Sequence, residues 1–153
     1  MRDAILSDWI SNSEWATWKR QPVTGDASAR RYERFTGPNG QSVILMDAPP
    51  STCGSQKTFV DMATHLSSLG LCAPEIFAWD DPLGILVLSD LGTTDFAKHL
   101  IKQPADEALL YANAVDVLRK LHASAPPNGL VKMTPDVGVE MIGLGFELSL
   151  IHI

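Results

Sequence analysis

Cysteine is scarce in this chain of 153 residues: Cys53 and Cys72 are the two present, and their spacing is not that of a metal site. A disulfide framework is excluded, and free thiols in a reducing cytosol are expected. Basic charge is also in short supply. Twelve Lys and Arg face 18 Asp and Glu, a net charge of -6, so no broad electrostatic footprint for DNA or RNA exists. A local pair such as Arg30-Arg31 could still hold a few phosphates. No apolar run approaches the ~18 residues of a membrane-crossing helix. Charges at Arg2, Asp3 and Asp8 interrupt the stretch that a signal peptide would need unbroken. The expectation is a cytoplasmic chain with neither a nucleic-acid nor a membrane partner. No internal repeat or low-complexity segment occurs.

What is present is ordinary for a globular protein, with 45% hydrophobic and 20% charged residues and a mean hydropathy of +0.04. Residues 2–12 read as a short helix with Ile5, Leu6, Trp9 and Ile10 on one face. A second short piece at 14–18 follows Ser13, an N-cap candidate, with Trp15 and Trp18 as core anchors. Three strands follow at 21–24, 31–36 and 42–47. The last two are joined by Gly37-Pro38-Asn39-Gly40, a strong hairpin signal, and Asp47-Ala48-Pro49-Pro50 ends the third. Phe59, Met62, Ala63, Leu66 and Leu69 form a helical stripe within 56–69, which stops at Gly70. Strands at 75–79 and 84–88 flank Asp80-Asp81-Pro82-Leu83-Gly84, whose aspartates are explained by turn chemistry better than by a metal. Helices at 94–101 and 105–123 close the pattern. The longer one has an apolar face broad enough to need protein on more than one side. This order makes an α+β fold.

Two segments carry chemistry. Gly25, Asp26, Ala27 and Ser28, followed by Ala29, Arg30, Arg31 and Tyr32, lie between two strands. Small residues there let backbone N–H groups approach a ligand, and the Ser28 hydroxyl and an arginine could hold phosphate oxygens. By spacing alone, a flexible turn and a solvated arginine strand account for it better. The second segment, Leu88-Ser89-Asp90-Leu91-Gly92, runs from a buried strand into a polar link. It could present backbone groups to a base edge, or be a strand-to-helix connection with Asp90 or Thr93 as a cap.

Gly25-Asp26-Ala27-Ser28, Arg30-Arg31-Tyr32, Met46-Asp47-Ala48-Pro49-Pro50, 59–70 with Pro74, and Leu88-Ser89-Asp90-Leu91-Gly92 together resemble the aminoglycoside phosphotransferase family. Within it, the chain is most similar to the bacterial kinases that phosphorylate the anomeric hydroxyl of N-acetylmuramate and N-acetylglucosamine in cell-wall recycling. The resemblance covers about residues 1–125. It implies a protein-kinase-like small lobe, an antiparallel sheet plus helix, with ATP as phosphoryl donor, Mg²⁺ as cofactor and an amino sugar as substrate. ATP would be held by Gly25, Asp26, Ala27, Ser28, Arg30 and Arg31 at its phosphates. The backbone of Ser89 and Leu91 would meet its adenine, with the Asp90 side chain structural.

Two departures from the family pattern stand out. Met46 occupies the place of the usual phosphate-binding lysine, so Arg30 or Arg31 is expected to supply the charge, with Asp61 as an acidic partner. None of His65, His99, His122 or His152 is followed two places later by aspartate, so the family's His-x-Asp loop is absent. No catalytic or metal-ligating residue is assigned. Glu107, Asp116 and His122 fit a solvated helix face better than a substitute centre.

The expected organisation is a lobe and hinge over 1–92, the start of a truncated helical lobe over 93–147, and a tail over 148–153. That tail, Leu148-Ser149-Leu150-Ile151-His152-Ile153, is what CTG TCT CTT ATA CAC ATC encodes, a string that resembles the end of a transposase-based sequencing adapter, and it is expected to lie outside the fold. The chain alone is expected to be inactive. The alternatives are a non-catalytic nucleotide- or protein-binding module, or a kinase of the same fold acting on an aminoglycoside, choline or a ketosamine.

Overall fold

The computed structural model describes residues 1–23 and 29–149. Helix α1 (Arg2–Ser11) leads into strands β1 (Lys19–Val23), β2 (Arg31–Thr36) and β3 (Ser42–Asp47). A one-turn helix α2 (Pro50–Cys53) and helix α3 (Lys57–Ser68) follow, then β4 (Ile76–Asp80) and β5 (Ile85–Ser89). The remainder is helical: α4 (Phe96–Lys102), a 3₁₀ turn at Pro104–Asp106, α5 (Glu107–His122) and α6 (Pro135–Ser149). The five strands form one sheet in the order β1-β2-β3-β5-β4, antiparallel throughout. This is the α+β architecture of a kinase-like small lobe.

The core explains the strand sequences. Val43 and Leu45 of β3, with Ile85 and Val87 of β5 and Phe35 of β2, pack against Leu6 and Ile10 of α1 and against Trp15. Met46, Leu86 and Leu88 face the other way, with Ile44, toward Phe59 and Val60 of α3. Strands covered on both faces carry unbroken apolar runs instead of alternation. That is why Val43-Ile44-Leu45-Met46 and Ile85-Leu86-Val87-Leu88 are continuous. Strand β1 lies at the sheet edge, largely exposed, where Pro22 is tolerated because an edge strand has N–H groups without ladder partners.

Differences from the sequence expectations have local causes. Residues 14–18 form successive turns, with Ala16 N–H on Ser13 O (3.2 Å) and Trp18 N–H on Trp15 O (3.0 Å). The Ser13 hydroxyl accepts from Trp15 N–H, and Trp15 stacks on Trp9 with centroids 6.3 Å apart, so burial of the indole fixes this segment without a helix. The long helix begins with a 3₁₀ turn because Pro104 suits a first turn. Pro50 does the same for α2, where the Pro-Pro pair reads in sequence only as a stop. Much of the apolar face of α5, including Leu109, Val115, Val117 and Leu118, is exposed. Residues 150–153 of the tail lie outside the described residues.

The β4–β5 turn is pressed against the end of β3. Ala48 N–H donates to Gly84 O at 2.8 Å, and a Cβ on Gly84 (φ +64°) would stand 2.0 Å from Ala48 O. Gly40 in the β2–β3 hairpin has a similar φ of +79° but open space around it. Gly84→Ala should therefore cost about 3 kcal/mol, strain plus overpacking, and Gly40→Ala only about 1 kcal/mol. Urea midpoints at constant m-value check this, and equal costs would contradict the close approach.

Candidate functional site

Strand register sorts the candidate residues onto two faces. Val23 pairs with Tyr32, Gln21 with Arg34, Tyr32 with Met46, and Arg34 with Ile44. Met46 in turn pairs with Leu86 and Ile44 with Leu88. Directly opposed residues share a face, so these side chains form one surface, the one α3 packs on. Arg31, opposite Asp47 and hence in line with Ile85, belongs to the surface covered by α1.

This separates the two adjacent arginines. The Arg30 guanidinium lies 5.8 Å from the centroid of the Phe59 ring, within reach of a cation–π contact and on the side where Met46 is fully buried. Arg31 donates to Asp47 Oδ2 through Nε (2.9 Å) and Nη2 (2.7 Å), and to Asp3 Oδ1 (3.0 Å). The acidic partners of Arg31 are therefore Asp47 and Asp3; Asp61, expected as the partner of Arg30 or Arg31, pairs with Lys57 one helical turn away (2.5 Å). Gly25, Asp26, Ala27 and Ser28 lie outside the described residues. A cavity of about 430 Å³ is lined by both Arg30 and Arg31, with Val23, Tyr32, Leu45 and Asp47 among others.

The link after β5 is held from below by β2. Asp90 accepts from Arg34 Nε (2.5 Å) and Nη2 (2.9 Å), from Ser42 Oγ (2.7 Å) and from Gly92 N–H (2.9 Å). Arg34 also reaches Gly92 O (3.1 Å). The Arg34 guanidinium is the main reason that the Asp90 carboxyl stays well below the usual carboxylate range; Ser42 and Gly92 N–H add to this, and burial opposes it. The Asp90 side chain is structural, as expected.

Ser89 donates its N–H to Glu75 O (2.8 Å), and its hydroxyl takes Glu75 N–H (2.9 Å). Its carbonyl is then the backbone group it can offer a ligand. Leu91, 62% exposed, borders a cleft of about 460 Å³ together with Gln21, Val23, Arg34, Thr94 and Lys98. Ser89 ends the interior strand β5, whereas Leu91 and Arg34 line the cleft and Ser89 does not. The cleft and the Arg30 cavity both touch Pro22 and Val23.

Arg34 and Asp47 are the residues that the sequence reading missed. Strand alternation counted from the apolar Phe35 would have set Arg31 and Glu33 on its face and Arg34 on the other. An aspartate closing an apolar run signals a buried carboxylate that needs a cation. Among the described residues, no group of three or more His, Cys, Asp or Glu could hold a metal, and no helix is long and apolar enough to cross a membrane. Asp116 is exposed beside Arg119 (3.6 Å).

A family model described as "Phosphotransferase enzyme family" matches residues 19–140, most of the chain. The N-acetylmuramate/N-acetylglucosamine kinase of Caulobacter vibrioides is 34% identical over 155 residues, covering 84% of this chain and 42% of the relative. The proteins of the same name from Pseudomonas aeruginosa and Pseudomonas putida are 40% identical over 99 residues and 36% over 123. They cover 63% and 77% of this chain, and 28% and 34% of the relatives. The chain spans less than half the length of these curated relatives. It belongs to the phosphotransferase family.

The Arg34–Asp90 pair has a stability signature. Because the folded carboxyl titrates below its unfolded value of about 4, its contribution is complete above that pH and is lost as pH falls toward the folded titration point. Asp90→Ala should cost about 2–3 kcal/mol at pH 7 by leaving Arg34 unpaired. The difference from the parent chain should shrink as denaturation is repeated from pH 5 down to pH 2. A gap that stays constant over that range would contradict the assignment.

Proposed function

We propose that this member of the phosphotransferase family is the nucleotide-holding lobe of an ATP-dependent amino-sugar kinase. Its substrate would be N-acetylmuramate or N-acetylglucosamine, phosphorylated at the anomeric hydroxyl in the cytoplasmic recycling of cell-wall sugars. The observation that carries the reading is the Arg30 guanidinium over Phe59, on the sheet face where Met46 provides no charge. Phosphoryl transfer depends on positioning and on neutralising charge, so a lobe of this family without the strand cation needs another from nearby. Arg30 meets that need from its position over Phe59 on this face, and Arg31 lies on the opposite face with Asp47 and Asp3.

In the reaction, a sugar oxygen attacks the γ-phosphorus, the bond to the β–γ bridging oxygen breaks, and ADP departs as the hydroxyl proton passes to a base. Arg30 neutralises phosphate charge. The Ser89 carbonyl and the Leu91 N–H receive the adenine edge, at a link made rigid by Arg34, Ser42 and Asp90. Mg²⁺ would neutralise the transferring phosphoryl group. Its ligands and the base belong, in this reading, to polypeptide that the relatives possess and this chain does not span. The absence of a His-x-Asp pair favours a second reading, a nucleotide- or protein-binding module without catalysis.

The test is an assay of the full-length protein with ATP against amino sugars, an aminoglycoside, choline and a ketosamine. Release of ADP with an acid-labile sugar phosphate supports the proposal. Turnover of only the other substrates would reassign it, and no turnover at all would favour the binding module. In the active enzyme, Arg30→Ala should raise the KM for ATP about tenfold or more, about 1.4 kcal/mol, with the sugar KM little changed. The 153-residue chain alone should show no turnover.

A further inference from the structure

We infer that Asp47 is a positioning residue for the phosphate-binding cation: a buried carboxylate that fixes Arg31 on one face of the sheet so that Arg30 projects from the other. The inference rests on the kinase reading above and extends it to residues that touch no substrate.

Asp47 is 1% exposed and closes β3 immediately after Met46. A buried carboxylate is costly unless it is paired and hydrogen-bonded, and this one is satisfied at both oxygens. Arg2 of α1 donates through Nε (2.8 Å) and Nη2 to Oδ1, and Arg31 of β2 donates through Nε and Nη2 to Oδ2. Arg31 also holds Asp3 of α1, so two cations and two carboxylates close a neutral cluster. It joins the first turn of α1 to the ends of β2 and β3.

Packing alone would not require such a cluster, since well-packed apolar groups of similar volume are often at least as stabilising as buried ions. What ions add is direction. Arg31 and Asp47 are directly opposed in the β2–β3 register. A slip of one residue would exchange the faces of every side chain on the strand. It would send Arg30 toward Asp47 and Arg31 toward Phe59. Two adjacent arginines differ little in sequence terms, and the single carboxylate distinguishes them. With Arg31 anchored toward α1, Arg30 lies over Phe59 on the α3 side. Helix α1 thereby acts on the site through Asp3 and Arg2.

A double-mutant cycle in the full-length kinase tests this. Arg31→Gln removes the link while Asp47 keeps Arg2, so folding is retained; Asp47→Asn is the second variant, and melting temperatures accompany both. The expected result is an ATP KM raised about tenfold by Arg31→Gln, with the sugar KM unchanged and less than a twofold further rise when it is added to Arg30→Ala. Arg31→Lys, which keeps charge but loses the fork, should fall between. Additive effects of Arg31→Gln and Arg30→Ala, or an unchanged ATP KM in Arg31→Gln, would overturn the positioning role. An Arg30→Ala enzyme with normal ATP KM would overturn it too, by removing the cation assignment. None of those three results would touch the amino-sugar reading, which stands or falls with wild-type turnover.

Discussion

Burial of β3 on both faces is the constraint on which the rest of this lobe depends. A strand has one set of side chains for each face, and here neither face is open to water: Val43 and Leu45 meet α1, and Met46 with Ile44 meets α3. Each residue added to the strand must therefore suit one of two interiors. The strand can end in a charged residue only if the interior supplies a countercharge. Asp47 ends it on the α1 side, and two arginines converge there. The same alternation puts an uncharged thioether, Met46, on the side where a phosphate would sit.

Further along the sheet, the same logic fixes the link after β5. Arg34 stands on the α3 face opposite Ile44, and its fork is spent on Asp90 and Gly92. Ser42 at the start of β3 adds a third tie. The link is held by side chains of β2 and β3 instead of by its own backbone pairing. Its exposed member, Leu91, can then border the cleft while Asp90 beneath it remains structural. Preorganised backbone groups of this kind bind without first losing conformational freedom.

Most elements were legible because their signals are local. The helical stripe of α3, the Asn39-Gly40 hairpin and the apolar runs of β3 and β5 each declare themselves within a few residues. What was not legible is non-local. Whether 14–18 becomes a helix depends on Trp15 reaching Trp9. Lys19 and Arg20 of β1 look like loop until β2 pairs with them. Arg30 and Arg31 differ in the side of the sheet each faces, and the buried acid that holds Arg31 lies on another strand. Arg34 was unremarkable in sequence because its partner is 56 positions away.

If Arg30 supplies the charge that Met46 lacks, as proposed, the cation lies before β2 instead of on β3, with a physical consequence. A lysine on β3 would project from a strand secured on both sides by neighbours. Arg30 instead precedes β2, on the connection from the edge strand β1, where the ladder supplies less restraint. A long side chain there loses more conformational freedom when it is ordered, unless something else directs it. Two features of this lobe reduce that loss: the aromatic face of Phe59 beneath the guanidinium, and the anchoring of the next residue by a buried carboxylate. In that reading, a charge at a less constrained strand end is coupled to a buried acid beside Met46. On the proposed role of Arg30, the arginine pair, the methionine and the aspartate answer a single electrostatic requirement.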